Sequence, residues 1–317
     1  MGRSARVACG LLVVVASCSS AKPSTPNAAP TVAPTATAAT TPTPTADPGD
    51  FVLSNAMAHD RMLAVTIGIR ETGTAGDRAA GAYIVSQLTK IGLQVRQQTF
   101  PLPKGGTSTN IIGAPPGFDE RKPYLIVGGH RDSLRGPGAN DNGTGISVSL
   151  EVARAIAARP AHLPVLFVAF GAEEVEPDAN HSHHVGSKAY VAAMSDAARK
   201  NLVAFVNLDM VGWGTEIHCP RLPIGIGEGA DRCVRMAHQL GMPAVEEVQP
   251  NYSDHGTFIL ANMDAAWIWA GDDLCCYHSP RDTMARVKPD EVNRAGRLAL
   301  AMLRSYRPSA SLRGGTG

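Results

Sequence analysis

The 317-residue chain is predicted to fold as an α/β domain, a single-domain three-layer sandwich with a central mixed, mostly parallel sheet and helices on both faces. Two observations carry this. Apolar runs of strand length recur at 124–129 (YLIVGG), 163–171 (LPVLFVAFG), 202–212 (LVAFVNLDMVG) and 265–271 (AAWIWAG), and their unbroken hydrophobicity is that of strands covered on both faces. A helical pattern separates the first two, so strand and helix alternate. The 44% hydrophobic content supplies a core, and no repeat or linker composition interrupts residues 49–308.

Ahead of the domain, MGRSAR supplies a short positive region, VACGLLVVVA an apolar stretch too short to span a bilayer, and VASC small residues ending at Cys18. An export signal is expected over 1–18. An aliphatic residue, two small residues and a cysteine resemble the bacterial lipoprotein box. The resemblance implies that Cys18 is lipidated, becomes the mature N-terminus and anchors the protein at the outer face of the cell membrane; secretion after ordinary cleavage is the alternative. Residues 19–48 are almost all Ser, Thr, Ala and Pro, which cannot bury enough apolar area to offset their ordering entropy. They read as a disordered tether, and residues 309–317 as a flexible tail.

Within the domain, DRAAGAYIVSQLTKIG places Ala80, Ile84, Leu88 and Ile91 on one helical face, with Asp77 able to cap the start and Gly92 the end. In TGISVSLEVARAIAA, Ile146, Leu150 and Ala153 face one way, which gives the helix between the first two strands. A formal net charge of +1 provides no broad basic field for nucleic acid, so partners are recognised by local chemistry. Oligomeric state is unreadable, and a monomer is expected. Four domain cysteines, Cys219, Cys233, Cys275 and Cys276, can pair in three ways in an oxidising compartment.

Polar residues gather where the strands end. His130 follows the first strand, Glu173 and Glu174 the second, and Asp209 lies within the end of the third. Open α/β sheets bind ligands at that edge. Asp132 in GGHRDS, Asp141 in GANDNGTG and His278 in CYHSPRDT complete an inventory of imidazoles and carboxylates that suits two zinc ions sharing a bridging carboxylate. Asp132 can reach back to the free ring nitrogen of His130 and fix its tautomer. Adjacent carboxylates repel and resist desolvation, so Glu173 and Glu174 need cations beside them. One can ligate metal while the other serves as general base.

At GGHRDS, PGANDNGTG, VAFGAEEVE, NLDMVG, YSDHGTF and YHSPRDT, the chain resembles the zinc aminopeptidases of peptidase family M28, and IRETGTAGDRAAGAYIVSQLTKIGLQV fits more weakly. The resemblance covers residues 57–305. It implies a zinc exopeptidase, phosphorylase/hydrolase-like fold, two Zn2+ ions bridged by Asp141, one site completed by His130 and Asp209, and the other by Glu174 and His278. It further implies a metal-bridging hydroxide as nucleophile, Glu173 as general base, Tyr277 beside the developing oxyanion, and Ser253, Asp254 and His255 lining or supporting the substrate pocket. Peptides are the implied substrates, cleaved at the N-terminus because acidic groups can bind a free amine. Glutaminyl cyclases, with a related fold and one zinc, are the enzymatic alternative; a catalytically inactive peptide-binding surface protein is the other.

Three departures stand out. Arg131 follows His130 where an aromatic residue is common, and is expected to point to solvent. VEPDANHSHH intervenes before VGSKAY, and its His181, His183 and His184 read as solvated loop residues, with an accessory metal site as the alternative. Cys275 and Cys276 crowd the approach to His278, where some relatives carry a disulfide, so a bridge involving one of them is expected. His162, His218 and His238 read as structural. GIGEG (225–229) lacks the lysine and spacing of a nucleotide loop, and without a GxSxG elbow Ser133 is no serine nucleophile.

Overall fold

The computed structural model describes residues 47–175, 183–271 and 276–308. The expectations for the export signal, Cys18, nearly all of the tether, His181, Cys275 and the 309–317 tail lie outside those residues.

Four strands run parallel at the centre of the main sheet: β3 (Tyr124–His130), β4 (Val165–Phe170), β5 (Leu202–Leu208) and β8 (Ala265–Ile268), the labels following chain order. An antiparallel pair, β1 (Gln94–Pro101) and β2 (Thr107–Ala114), extends one edge, so the order is β1-β2-β4-β3-β5-β8. β1 is absent from the sequence reading because QVRQQTFP is polar and largely exposed, as an edge strand can be, and β2 because TSTNIIGA holds only a short apolar run. A separate two-stranded parallel sheet joins β6 (Ile217–Arg221) to β7 (Ala244–Val248).

Side chains alternate across the central strands, yet both faces are buried. Leu125, Val127, Val165, Val206 and Ile268 face one side, against α1 (Leu53–Arg61), α3 (Gly145–Ala158), α6 (Glu228–Gln239) and α8 (Pro289–Ser305). Tyr124, Ile126, Leu166, Val168 and Phe205 face the other, against α4 (Val185–Ala193), where Tyr190 packs, and α7 (His255–Leu260), which supplies Phe258. Short α5 (Asp196–Asn201) leads into β5. The layers on both faces explain why the runs are continuously apolar.

α2 (Ala75–Lys90) buries Ala80, Ile84 and Leu88 as the periodicity predicts, and Gly92 ends it at φ 86°. Its cap is Thr74, whose hydroxyl accepts from Asp77 N–H at 3.3 Å. Asp77 instead accepts from Gly73 N–H at 3.0 Å and meets the Arg131 guanidinium at 2.8 Å. Arg131 is therefore buried against a carboxylate, and the expectation that it points to solvent is corrected. The third strand also stops earlier than its apolar run: β5 ends at Leu208, and Met210 turns the chain at φ 54°, which leaves Asp209 just beyond the strand. Among the cysteines, Cys219 and Cys233 form a disulfide and Cys276 is buried.

Candidate active site

Strand ends deliver the charged residues. β3 carries His130 at its last position, β4 leads through Gly171 and Ala172 to Glu173 and Glu174, and β5 gives way to Asp209. Glycine permits the closeness. A Cβ on Gly129 would stand 2.4 Å from the Leu208 carbonyl oxygen and 2.8 Å from Asn142 Nδ2, the amide that donates to that same carbonyl at 2.8 Å. Asn142 Oδ1 also accepts from Gly145 N–H and Met210 N–H, so this one side chain ties the turn before α3 to the end of β5.

That turn, Ala139–Thr144, carries Asp141. Asp282 accepts from Asn140 N–H at 2.7 Å and Asp141 N–H at 3.0 Å. Beneath it lies Arg70, fully buried, which donates to five backbone carbonyls: Leu63, Gly68, Arg131, Pro137 and Gly138. Both residues stand in stretches the sequence analysis quotes, and neither is singled out there. Burial of a charge depends on tertiary packing, and no local pattern marked them.

Three overlapping clusters result: His130 with Glu173 and Glu174, and two that share Asp141. His130 Nε2 lies 3.2 Å from Asp141 Oδ1 and 3.3 Å from Asp209 Oδ1. His278 Nε2 lies 3.3 Å from Asp141 Oδ2 and 2.7 Å from Glu174 Oε1. Each set of three offers ligand atoms within 4.8 Å of one another. Asp132 sits behind both: its backbone oxygen faces His130 Nδ1 at 3.2 Å, and its carboxylate accepts from Glu173 N–H, Glu174 N–H and the Thr72 hydroxyl at 3.2, 3.0 and 2.8 Å. The Ser253 hydroxyl donates to Asp209 Oδ2 at 2.6 Å and accepts from the Asn207 amide at 2.7 Å. Ser253, Asp254 and His255 are all fully buried behind these carboxylates. None of the three lines the cavity over the site.

The electrostatics are those of a cation site. Burial, joined by nearby carboxylates, pushes Glu173 and Glu174 well above their ordinary range. Asp141 moves the other way, because the nearby His130 and His278 imidazoles outweigh burial. Burial works against the charge on His278, yet the Asp141 carboxylate beside it and its bond to Glu174 lift it to about 9. Four carboxylates thus crowd two imidazoles in a dry setting. Asp141 Oδ2 and Asp209 Oδ1 find no well-aligned donor among the described residues, although each lies 3.3 Å from an imidazole nitrogen. Nitrogen and oxygen donors so placed fit zinc, whose charge would satisfy those oxygens.

A cavity of about 520 Å³ opens over this edge. Asp141, Glu173, Glu174 and Asp209 floor it, and Met210, Trp267 and Trp269 line it beside Tyr252 and Tyr277. The two indoles stack with centroids 5.3 Å apart. Tyr277 is 40% exposed and stacks on His278 at 3.5 Å, and burial among carboxylates raises its phenol pKa. His184 stands against the cluster as well. It is 5% exposed and its Nε2 lies 2.9 Å from Glu173 Oε1, so it is no solvated loop residue. Its position in a run of polar residues gave no sign of this.

Residues 110–303 match the description "Peptidase family M28". Aminopeptidase YwaD of Bacillus subtilis is 33% identical over 207 residues, 62% of this chain and 44% of that protein. Leupeptin-inactivating enzyme 1 of Streptomyces exfoliatus is 28% identical over 280 residues, 78% of this chain and 60% of that protein. The chain spans about half the length of the curated relatives it matches. A zinc aminopeptidase structure from Bacillus subtilis superposes with a TM-score of 0.72 at 21% identity, covering 80% of this chain and 94% of that one. A glutaminyl cyclase from Tannerella forsythia superposes with a TM-score of 0.69 at 21% identity, covering 81% and 99%. These likenesses carry the fold, and the matched segment carries the kinship: the chain belongs to peptidase family M28.

Proposed function

We propose that the chain is a dinuclear zinc aminopeptidase that removes N-terminal residues from peptides. The reading rests on the two ligand sets that share Asp141. In it, His130 and Asp209 would hold one zinc ion, Glu174 and His278 the other, and Asp141 would be shared between them. When bound, zinc polarises the scissile carbonyl and acidifies water. Glu173 takes a proton from the attacking water and delivers it to the leaving amine, returning to its carboxylate form. Tyr277, kept protonated by its raised pKa, donates to the developing oxyanion. Surplus carboxylate charge attracts the free amine of a peptide, while Trp267 and Trp269 supply an apolar wall for its side chain.

Zinc content and hydrolysis of aminoacyl anilides by the wild type and Glu173→Gln test this. The reading requires two zinc ions per chain in both proteins and turnover only in the first. The likeness to glutaminyl cyclases supports a second reading. One zinc, no anilide hydrolysis and cyclisation of a Gln-initial peptide would establish it. Absence of both metal and turnover would leave a peptide-binding surface protein. Export and lipid anchoring at Cys18 belong to the same proposal and rest on the sequence of residues 1–48. Among the described residues, no helix is long and apolar enough to cross a membrane. An unlipidated N-terminal peptide from membrane-purified protein would remove the anchor.

A further inference from the structure

Glu173 leaves a strand end flanked by Asp141, Glu174 and Asp209, and nothing in a row of like charges fixes which way its own carboxylate points. One donor reaches it from outside the ligand sets. His184 Nε2 lies 2.9 Å from Glu173 Oε1, and the main chains of the two residues are joined by a His184 N–H to Glu173 C=O bond of 3.2 Å. The histidine is held at both ends. Its backbone takes the left-handed conformation at φ 59°, immediately before α4, and its carbonyl accepts from Lys188 N–H at 3.0 Å and from the Ser187 hydroxyl at 3.3 Å. Left-handed backbone is rare for a residue with a side chain, and persists where surrounding contacts over-determine it.

We infer that His184 is a positioning residue for the general base, its Nε2–H holding Glu173 Oε1 so that the other carboxylate oxygen is presented to the cavity. The inference rests on the reading of Glu173 as general base. A neutral imidazole suffices for the role, and burial lowers the pKa of His184, which favours that form. The proton account stays simple. Glu173 gains one proton from water and loses it to the leaving amine, while His184 keeps its Nε2–H throughout. An anchored base keeps its reacting oxygen in reach of both partners, which acts on the chemical step more than on substrate binding. The side chain that does this lies eleven residues beyond Glu173, next to α4, so the base and its support come from different elements.

Two substitutions separate positioning from packing. His184→Leu removes the donor and keeps bulk; His184→Gln replaces Nε2–H with an amide N–H at similar reach and cannot titrate. With the full-length, zinc-loaded chain and aminoacyl anilides, His184→Leu is expected to lower kcat on the order of 10- to 100-fold with KM within about twofold. His184→Gln is expected to recover most of kcat, and zinc content to be unchanged in both. Equal loss in the two variants, loss of zinc in step with activity, or a kcat for His184→Leu within about twofold of wild type would overturn the inference. An independent readout needs no turnover: the proton spectrum of the wild type should contain a slowly exchanging imidazole N–H that vanishes in His184→Leu and shifts in Glu173→Gln. If the wild type hydrolyses nothing, the functional reading fails, and this resonance still decides whether His184 binds Glu173; its absence overturns the contact.

Discussion

Opposite regions of the protein carry cavities of similar size and unlike character. Near the start of β4, a cavity of about 590 Å³ is walled by Ile91, Phe118, Ile156, Leu163 and Phe167 and contains no cluster of carboxylates. Over the carboxyl ends of the strands, the 520 Å³ cavity has four carboxylates in its floor. The larger hollow is the less informative one. Left-handed backbone leans the same way: of the six non-glycine residues with positive φ among the described residues, Met210 lines the charged cavity, His184 and His278 contact its glutamates and Ala172 precedes them, while Arg135 and Asn262 are the two others. Such conformations cost on the order of 1–3 kcal/mol each, burying a charge costs more unless it is paired, and the charged edge carries both. Concavity alone does not mark a site; clustered local expense does.

The comparison breaks most sharply at Glu173. Glu173→Gln should reduce anilide hydrolysis by roughly 10²- to 10⁴-fold with zinc retained, measured as kcat beside metal content; unchanged turnover would detach the chemistry from the charged cavity. Arg70→Met is next. It removes a buried guanidinium that donates to five backbone carbonyls, and a loss of at least about 3 kcal/mol in denaturant unfolding is expected, with zinc affinity reduced because the segment before the Asp141 turn rests on it.

Asp254 offers a pH test of the same contrast. Burial, with Glu173 adding to it, raises its pKa from 3.8 to about 7. Between those values the folded protein holds a proton that the unfolded chain has released, so this residue makes stability fall as pH rises through that window. Asp254→Asn should remove that slope in the chelated protein, read from unfolding midpoints at pH 5 and pH 8; parallel curves for the two proteins would count against a buried neutral acid. The smallest effect belongs to the apolar end. Ala157→Leu, lining the larger cavity, should leave kcat/KM unchanged and shift stability by about 0.5 kcal/mol, seen in Tm.

Legibility followed the same division in kind. Apolar runs marked all four central strands, because strands buried on both faces have to be apolar along their length. Polar residues at the ends of those runs pointed to His130, Glu173, Glu174 and Asp209, since strand ends in an open sheet meet at one edge. β1 escaped notice because an edge strand tolerates polar residues, as QVRQQTFP does, and β2, inside it, because TSTNIIGA holds only a short apolar run. Arg70, Asp282 and His184 escaped for a different reason: each makes sense only against partners such as Gly138, Asn140 or Glu173 that the fold brings near. Arg131 was misread on the same ground, as its partner Asp77 lies 54 positions away in the chain.

The Arg70 and Asp282 supports also bear on how ions are taken up. Asp282 grips the backbone on both sides of the Asn140–Asp141 peptide, and Arg70 braces the segment before it, using contacts internal to the polypeptide. The backbone freedom of the segment that carries Asp141 is therefore surrendered during folding, and a cation bound there would not have to repay it. A loop that closed only around its ions would bind them more weakly and release them more readily. Here the backbone under Asp141 is formed in advance, as the frame of a rigid macrocycle is.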